Sequence, residues 1–241
     1  MELLFITILI VVAFLYASIG HGGASGYLGL MALFSIDPMI MRSSALTLNL
    51  FVAGVSFIAY YRGGYFKPKI LLPFIITSIP FAFLGASLDI NPRVYKIILG
   101  SFLFLAVLRM LIYKPKESAN LENPPLFPAL LIGAGLGFLS GMIGIGGGII
   151  LSPLLILLGW ANLKQAAAVS AIFIFLNSAS GLLGIIQSGF VGNAQISVWI
   201  IAALCGGLLG SFAGSFKFSS IRLQYILAFV LILASFKLFV F

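Results

Sequence analysis

The chain alternates long apolar stretches with short polar or glycine-rich breaks. Ten apolar segments can be marked, running approximately over residues 3–19, 26–36, 42–61, 69–88, 93–112, 126–140, 149–159, 164–186, 194–214 and 219–240. Most of them are long enough to cross about 30 Å of hydrocarbon as a helix. The second and seventh are shorter, and each follows a glycine run. The pattern predicts an all-α polytopic membrane protein.

Composition and charge support this class. The chain is 62% hydrophobic and 7% charged, whereas about a quarter of a soluble domain is charged. The net charge of +8 reflects lysines and arginines at membrane interfaces, so we expect a lipid bilayer and no nucleic acid as partner. Cys205 is alone, which excludes a disulfide framework. We interpret the first segment as a retained helix, since Glu2 is its only charge and no small-x-small cleavage site follows.

The two halves of the chain resemble each other. "IGHGGASGYL" aligns with "IGIGGGIILS" at an offset of about 124, and "FLGAS" with "LLGSF" at 125. The strongly hydrophilic stretch "YKPKESANLENPP" separates them. We therefore predict an N-terminal repeat over residues 1–112, a cytoplasmic hinge loop over 113–125 and a C-terminal repeat over 126–241.

The distribution of basic residues favours an inverted second half. If each short segment forms a hairpin with the helix before it, one membrane face carries nine basic residues and the other face carries four. If each glycine-broken pair instead makes a single crossing, the two faces carry seven and six basic residues. The positive-inside rule favours the first arrangement, in which both termini lie on the outer side of the cytoplasmic (inner) membrane. Each repeat then contains a glycine-broken hairpin, spanning or re-entrant, plus about three spanning helices. Inverted-topology repeats of this kind are typical of secondary transporters.

The two glycine runs are the strongest candidates for a binding site. Irregular backbone inside a bilayer is tolerated only where protein or a water-filled cavity satisfies its polar groups. The free N–H groups at the start of the following helix favour phosphate, sulfate or carboxylate groups, and glycine allows their close approach. We predict that substrate binds at Gly20, His21, Gly22, Gly23 and Ser25 in the first half, and at Gly144, Gly146, Gly147 and Gly148 in the second. Close helix packing is the alternative, which we prefer for Gly207, Gly210, Ser211 and Gly214.

Further polar residues lie inside the long segments. Asn49 and Asn177 are predicted to line the cavity, with hydrogen bonding between helices as the alternative. For Thr47, Ser170, Ser178 and Ser180 both interpretations stand equally. His21 either couples transport to protons or caps its loop. Arg42 and Lys164 begin long helices, where snorkelling to the interface is preferred to drawing anions inward.

The acidic residues restrict the cargo. All five, Glu2, Asp37, Asp89, Glu117 and Glu122, fall at segment ends or in loops. A buried cation needs a carboxylate partner, so a neutral or anionic cargo is expected. One histidine, one cysteine and no buried acid leave no triad and no metal cluster. We therefore expect neither an enzyme nor a cofactor or metal site.

The stretch "GMIGIGGGIILSPLLILLGWANLKQAAAVSAIFIFLNSASG" resembles the signature region of the TauE/SafE membrane permeases, the sulfite exporter family. The shared features are a G-x-GGG run, a nearby proline, a short apolar segment and an alanine-rich helix start. The resemblance implies transport of sulfite, sulfonates or sulfoacetate, with the motif at Gly144, Gly146, Gly147, Gly148 and Pro153. The first half departs from this motif, with His21 in the variable position, Ala24 for the last glycine and Gly29 for the proline.

These observations together predict a secondary transporter of a small anion, working by alternating access with its site at the repeat interface. Two alternatives stay open. One is an anion channel with a glycine-loop filter, and the other is a membrane assembly factor that carries no cargo. A homodimer is also left open.

Overall fold

The computed structural model describes residues 2–18, 22–112, 121–189, 194–216, 232 and 235–238. Their named helices are α1 (Glu2–Ala17), α2 (Ala24–Leu33), α3 (Pro38–Arg62), α4 (Pro68–Ser87), α5 (Pro92–Ile112), α6 (Leu126–Ile143), α7 (Gly148–Leu157), α8 (Leu163–Gln187) and α9 (Ile196–Phe216). The described residues contain helices and no strands. The all-α fold is confirmed, and the first nine predicted segments each correspond to one helix. Most of the tenth lies outside the described residues.

Helix length separates the spanning helices from the short ones. In the described residues, α3, α4, α6, α8 and α9 are long and apolar enough to cross a membrane, which confirms a multi-pass membrane protein. In contrast, α2 and α7 have 10 residues each. At 1.5 Å per residue they are about 15 Å long, half the thickness of the hydrocarbon core.

The first glycine break folds the chain back on itself. Near the start of α1, the ring of Phe5 lies 5.2 Å from that of Phe34, just after α2. Near the end of α1, the Tyr16 hydroxyl accepts a 2.8 Å hydrogen bond from Ser25, at the start of α2. Helices α1 and α2 are therefore antiparallel, as the hairpin interpretation requires.

The two longest helices, α3 and α8, also run antiparallel. From the α3 side, Leu46 packs against Gly181, Asn49 donates to Ser178, and Gly54 faces Phe175. Partner numbers fall as α3 numbers rise, so the helices point in opposite directions. Our alignment pairs these two helices as repeat partners, and inverted repeats require this arrangement. The duplication itself stays a prediction.

Two glycine stripes make close parallel contacts. On α6, three glycines spaced four residues apart face carbonyl oxygens of α4 so closely that a Cβ atom would overlap them. The pairs are Gly133 with Phe74, Gly137 with Ser78, and Gly141 with Ala82. On α9, Gly206 and Gly210 meet the carbonyl oxygens of Ile10 and Phe14 in α1 in the same way. Small residues let membrane helices approach closely where lipid offers no hydrophobic driving force. The packing interpretation of Gly210 therefore agrees with its contacts.

Candidate functional site

The glycine loops of the two halves meet on one pair of side chains, Asn49 and Ile174. A Cβ atom at Gly22 would lie 2.7 Å from Asn49 Oδ1 and 2.9 Å from Ile174 Cγ2. A Cβ at Gly146 would lie 2.8 Å from both Asn49 Nδ2 and Ile174 Cγ2. Both side chains are buried, and they occupy equivalent positions in our alignment of the halves. The structure thus brings together the two glycine runs that lie half a chain apart.

This meeting point lies deep in the protein. Asn49 is near the middle of the 25-residue helix α3, and Ile174 near the middle of the 25-residue helix α8. At 1.5 Å per residue, each is about 17 Å from the nearer end of its helix. Secondary transporters commonly bind their substrates at such a depth, next to interrupted helices.

The Asn49 carboxamide is only half satisfied. Its Nδ2 donates to the Ile145 carbonyl oxygen and to Ser178 Oγ, each at 3.3 Å. Its Oδ1 is buried and has no hydrogen-bond partner among the described residues. A buried polar atom without a partner costs about 1–3 kcal/mol, and such atoms often indicate a functional site. Asn49 Oδ1 is thus an acceptor that is available to a hydrogen-bond donor between the loops.

Both short helices begin at these loops with left-handed glycines as their N-caps. These are Gly23, with φ of 98°, and Gly147, with φ of 76°, and no side chain caps either helix. In α7, the N–H groups of Gly148 and Ile149 have no hydrogen-bond partner among the described residues. Unpaired first-turn N–H groups carry the positive end of the helix dipole. They are the donors that an anion site requires.

The second loop is tightly enclosed. A Cβ at Gly147 would lie 2.9 Å from Phe173 Cε1 and 3.5 Å from Ser140 Cβ. Gly148 packs against Ile174, while the Ser152 hydroxyl holds α7 to α8 by donating to Ser170 Oγ at 2.7 Å. Gly147 and Ser140 border a crevice too narrow for a water molecule. This part of the site is therefore closed to solvent in this structure.

For three other predicted site residues, Ser25, Gly144 and Asn177, the contacts that the structure describes are with residues other than Asn49. The Ser25 hydroxyl donates to Tyr16 in α1. Gly144 is the C-cap of α6, and a Cβ there would lie 3.0 Å from the Arg42 carbonyl oxygen. Asn177 Nδ2 donates to the Phe173 carbonyl oxygen of its own helix at 2.8 Å, while its Oδ1 is buried without a partner among the described residues. Gly20 and His21 lie outside the described residues. Substrate contact by these five residues stays a prediction.

Arg42 closes the end of α4. Its guanidinium donates to the Leu88 carbonyl oxygen at 3.2 Å, to that of Gly85 at 2.9 Å and also to that of Ala86. A fourth hydrogen bond of 3.0 Å reaches the Gly141 carbonyl oxygen in α6. The last carbonyls of a helix have no intrahelical partners, and a cation there complements the dipole. Arg42 therefore joins α3, α4 and α6, which neither of our interpretations anticipated.

Lys164 belongs to a partly exposed aromatic group. Its Nζ lies 4.7 Å from the centre of the Tyr65 ring and donates to the Tyr65 hydroxyl at 2.9 Å. The rings of Phe57, Tyr61 and Phe66 lie nearby, 5.2–6.0 Å apart between centres. Aromatic rings and a snorkelling lysine are typical of a membrane interface. The arrangement agrees with our preferred interpretation of Lys164.

Two further residues could hardly have been selected from the sequence. Tyr27 and Ser140 carry buried hydroxyls with no partner among the described residues, and each lies beside an N-cap glycine. A hydroxyl on an apolar helix does not reveal in the sequence whether it finds a partner. Ser178 was identified only as one of several polar residues of open role.

Comparison with known proteins identifies a family and relatives that match nearly the whole chain. The family model described as "Sulfite exporter TauE/SafE" matches residues 4–238. The probable membrane transporter protein y4hK of Sinorhizobium fredii is 34% identical over 95% of this chain and 94% of its own. Two further relatives are also named probable membrane transporter proteins. YunE of Bacillus subtilis is 27% identical over 82% of this chain and 80% of its own. MJ0441 of Methanocaldococcus jannaschii is 29% identical over 84% of this chain and 82% of its own.

No solved structure matches the chain significantly. The family match covers nearly its whole length and includes both glycine loops and the helices that hold them. The chain therefore belongs to the sulfite exporter TauE/SafE family of membrane transporters.

Proposed function

We propose that the protein is a secondary transporter of a small anion, with its binding site where the two glycine loops meet. The observation that carries this proposal is the convergence of Gly22 and Gly146 on Asn49, near the middle of α3. Two interrupted helices begin there, one from each half. Helix N-termini that point at an anionic group near the membrane midplane are a known binding arrangement in secondary transporters.

The chemistry of this site favours an anion over a metal or sodium ion. The described acidic residues, Glu2, Asp37, Asp89 and Glu122, lie in helix first turns, at caps or in connections. None of them is available to pair with a cation between the loops. The unpaired donors that are present are backbone N–H groups and hydroxyls, which can hold an oxyanion without a buried lysine.

Alternating access is supported by the directions of the helices. In an inverted repeat, the second half is oriented oppositely in the membrane, and α3 and α8 are antiparallel as this requires. We include in the proposal the repeats at 1–112 and 126–241, the cytoplasmic hinge at 113–125, and both termini outside the inner membrane. Movement of one half against the other would open the site to each side in turn. The narrow crevice at Gly147 is consistent with an occluded state of this cycle rather than an open channel.

A sulfur oxyanion or organosulfonate is the proposed cargo, with sulfite and sulfoacetate as the first compounds to test. The family description names sulfite. Sulfite and sulfonate groups present several oxygens at one end, which suits a cluster of backbone and hydroxyl donors. A free cation would find no acidic partner among the described residues in the same place.

Binding by purified protein tests this proposal. We expect sulfite or sulfoacetate to raise the thermal denaturation midpoint in a saturable way, because a ligand that binds only the folded state stabilises it. Taurine and simple carboxylates serve as comparison compounds. If no sulfur anion shifts the midpoint at millimolar concentration while transport is also undetectable, the transporter proposal fails.

His21 is proposed to couple transport to protons. It is the only histidine in the chain and titrates near neutral pH when unperturbed. Replacing it in His21→Gln should remove the dependence of net sulfite uptake on a proton gradient while preserving sulfite exchange at equal pH on both sides. Uptake in proteoliposomes with and without the gradient measures this. A proton dependence equal to that of the wild type would show that His21 is not the coupling group.

A further inference from the structure

Each N-cap glycine has one buried hydroxyl beside it. A Cβ atom at Gly23 would lie 2.6 Å from the Tyr27 hydroxyl oxygen, so this hydroxyl reaches back to the level of the helix start. A helical side chain leans toward the N-terminus of its helix, which explains how a residue four positions later reaches the cap. In the second half, a Cβ at Gly147 would lie 3.5 Å from Ser140 Cβ.

Both hydroxyls lack partners in the part of the chain that the structure describes. Tyr27 is 0% exposed and Ser140 is 2% exposed, and neither hydroxyl oxygen has a hydrogen-bond partner among the described residues. A helical serine hydroxyl commonly bonds a carbonyl three or four residues earlier, as those of Ser43 and Ser87 do. Ser44, Ser56 and Ser78 also lack a partner among the described residues, so Ser140 differs from them by its position beside an N-cap glycine.

Each of the two loops has an unpaired hydroxyl beside it, although the sequences of the loops differ. In our alignment, Tyr27 falls on Leu151 and Ser140 on Tyr16, so the two hydroxyls are not equivalent positions. Each nevertheless places an O–H group next to an uncapped helix N-terminus. An O–H group beside unpaired first-turn N–H groups favours a negatively charged oxygen.

We propose that the Tyr27 and Ser140 hydroxyls donate hydrogen bonds to the transported oxyanion, one from each half of the protein. The inference rests on the transporter function proposed above and assigns two binding residues to its site. Neither hydroxyl has a partner among the described residues, so each is free to donate to the substrate. A hydrogen bond to a charged group is strong enough that losing one weakens binding about tenfold or more.

Two single variants and two matched controls test this inference. Tyr27→Phe and Ser140→Ala remove only the unpaired hydroxyls. The controls, Tyr95→Phe and Ser180→Ala, remove hydroxyls that donate to carbonyl oxygens, of Ile143 at 3.0 Å and of Ile79 at 2.6 Å. Sulfite and sulfoacetate are the probes, and both the dissociation constant and the denaturation midpoint of ligand-free protein are measured.

We expect opposite outcomes in the two pairs. Tyr27→Phe and Ser140→Ala should each raise the dissociation constant about tenfold and leave the ligand-free midpoint unchanged or higher. The control variants should lower the midpoint and keep wild-type affinity. Wild-type affinity in either test variant, or a midpoint lowered as far as in its control, would overturn the assignment of that residue. If wild-type protein binds neither probe, the proposed function fails instead.

Discussion

Sulfite transport should be lost in Gly146→Ala, while the protein still inserts into the membrane. Gly146 has a φ of +78°, and a Cβ there would lie 2.8 Å from both Asn49 Nδ2 and Ile174 Cγ2. An L-residue in this conformation costs about 1–2 kcal/mol. The new methyl group would also push the second loop away from Asn49, so the distance between the two loops, on which the proposed site depends, would change.

Gly64→Ala is the matched control for this change. Gly64 also has a left-handed φ, +75°, but a Cβ there meets no atom within 4 Å. The control therefore carries the backbone strain without the contact at Asn49. Uptake of labelled sulfite by proteoliposomes, normalised to the amount of inserted protein, compares the two. Equal transport by Gly146→Ala and Gly64→Ala would show that the meeting of the loops is not needed for function.

The second large effect is expected on stability, in Gly137→Ala. Gly137 lies in the middle of the α6 stripe, where a Cβ would overlap the carbonyl oxygen of Ser78 and come within 2.6 Å of Ser78 Cα. Backbone cannot move aside as a flexible side chain can, so α4 and α6 would have to separate. We expect a loss of about 2–3 kcal/mol in unfolding free energy, as for overpacking of a close contact.

Gly135→Ala is the control on the same helix. A Cβ at Gly135 meets nothing within 4 Å, and alanine has the higher helix propensity. This variant should be as stable as the wild type or slightly more stable. Denaturation in detergent, followed by loss of helical signal, measures both proteins. If Gly137→Ala is as stable as Gly135→Ala, the close α4–α6 contact is not what holds these helices together.

Helix positions could be predicted from the sequence because the bilayer restricts the possible solutions. Backbone groups in hydrocarbon must be paired within the segment, so an apolar run of sufficient length becomes a helix. The two glycine runs were identified for the same reason, since they interrupt segments that otherwise satisfy this rule. The start of α2 at Ala24 lies within a few residues of the boundary expected from hydropathy.

The pairing of helices could be predicted only in part. Charge counts favoured the hairpin arrangement, with which the antiparallel α1 and α2 agree. The close parallel contact between α4 and α6 was not identified, although small residues recur every four positions on α4, at Ser78, Ala82 and Ala86. The partners of the α6 glycines are carbonyl oxygens, which every residue possesses. Asn49 was selected as a buried amide in the sequence, but its position between the two loops follows from the packing of α3 on α8.

The roles of individual polar side chains were the least predictable. Arg42 is used to hold the ends of α4 and α6, because those carbonyls happen to lie within reach of its guanidinium. Ser25 belongs to a predicted site run, but its hydroxyl is bound to Tyr16. Conversely, Tyr27 and Ser140 become candidate binding residues because their hydroxyls have no partner among the described residues. Such facts depend on distances of a few ångströms, which sequence periodicity does not determine.

Counterflow of labelled sulfite in proteoliposomes tests the central claim most directly. An alternating-access transporter exposes one site to each side in turn, so preloading with unlabelled sulfite should accelerate uptake of external label and produce a transient overshoot. A channel with a fixed filter conducts without this dependence. We predict saturable, trans-stimulated exchange by the wild type that is absent in Gly146→Ala. An uptake rate that does not depend on the internal sulfite concentration, or the absence of any sulfite flux, would contradict the account.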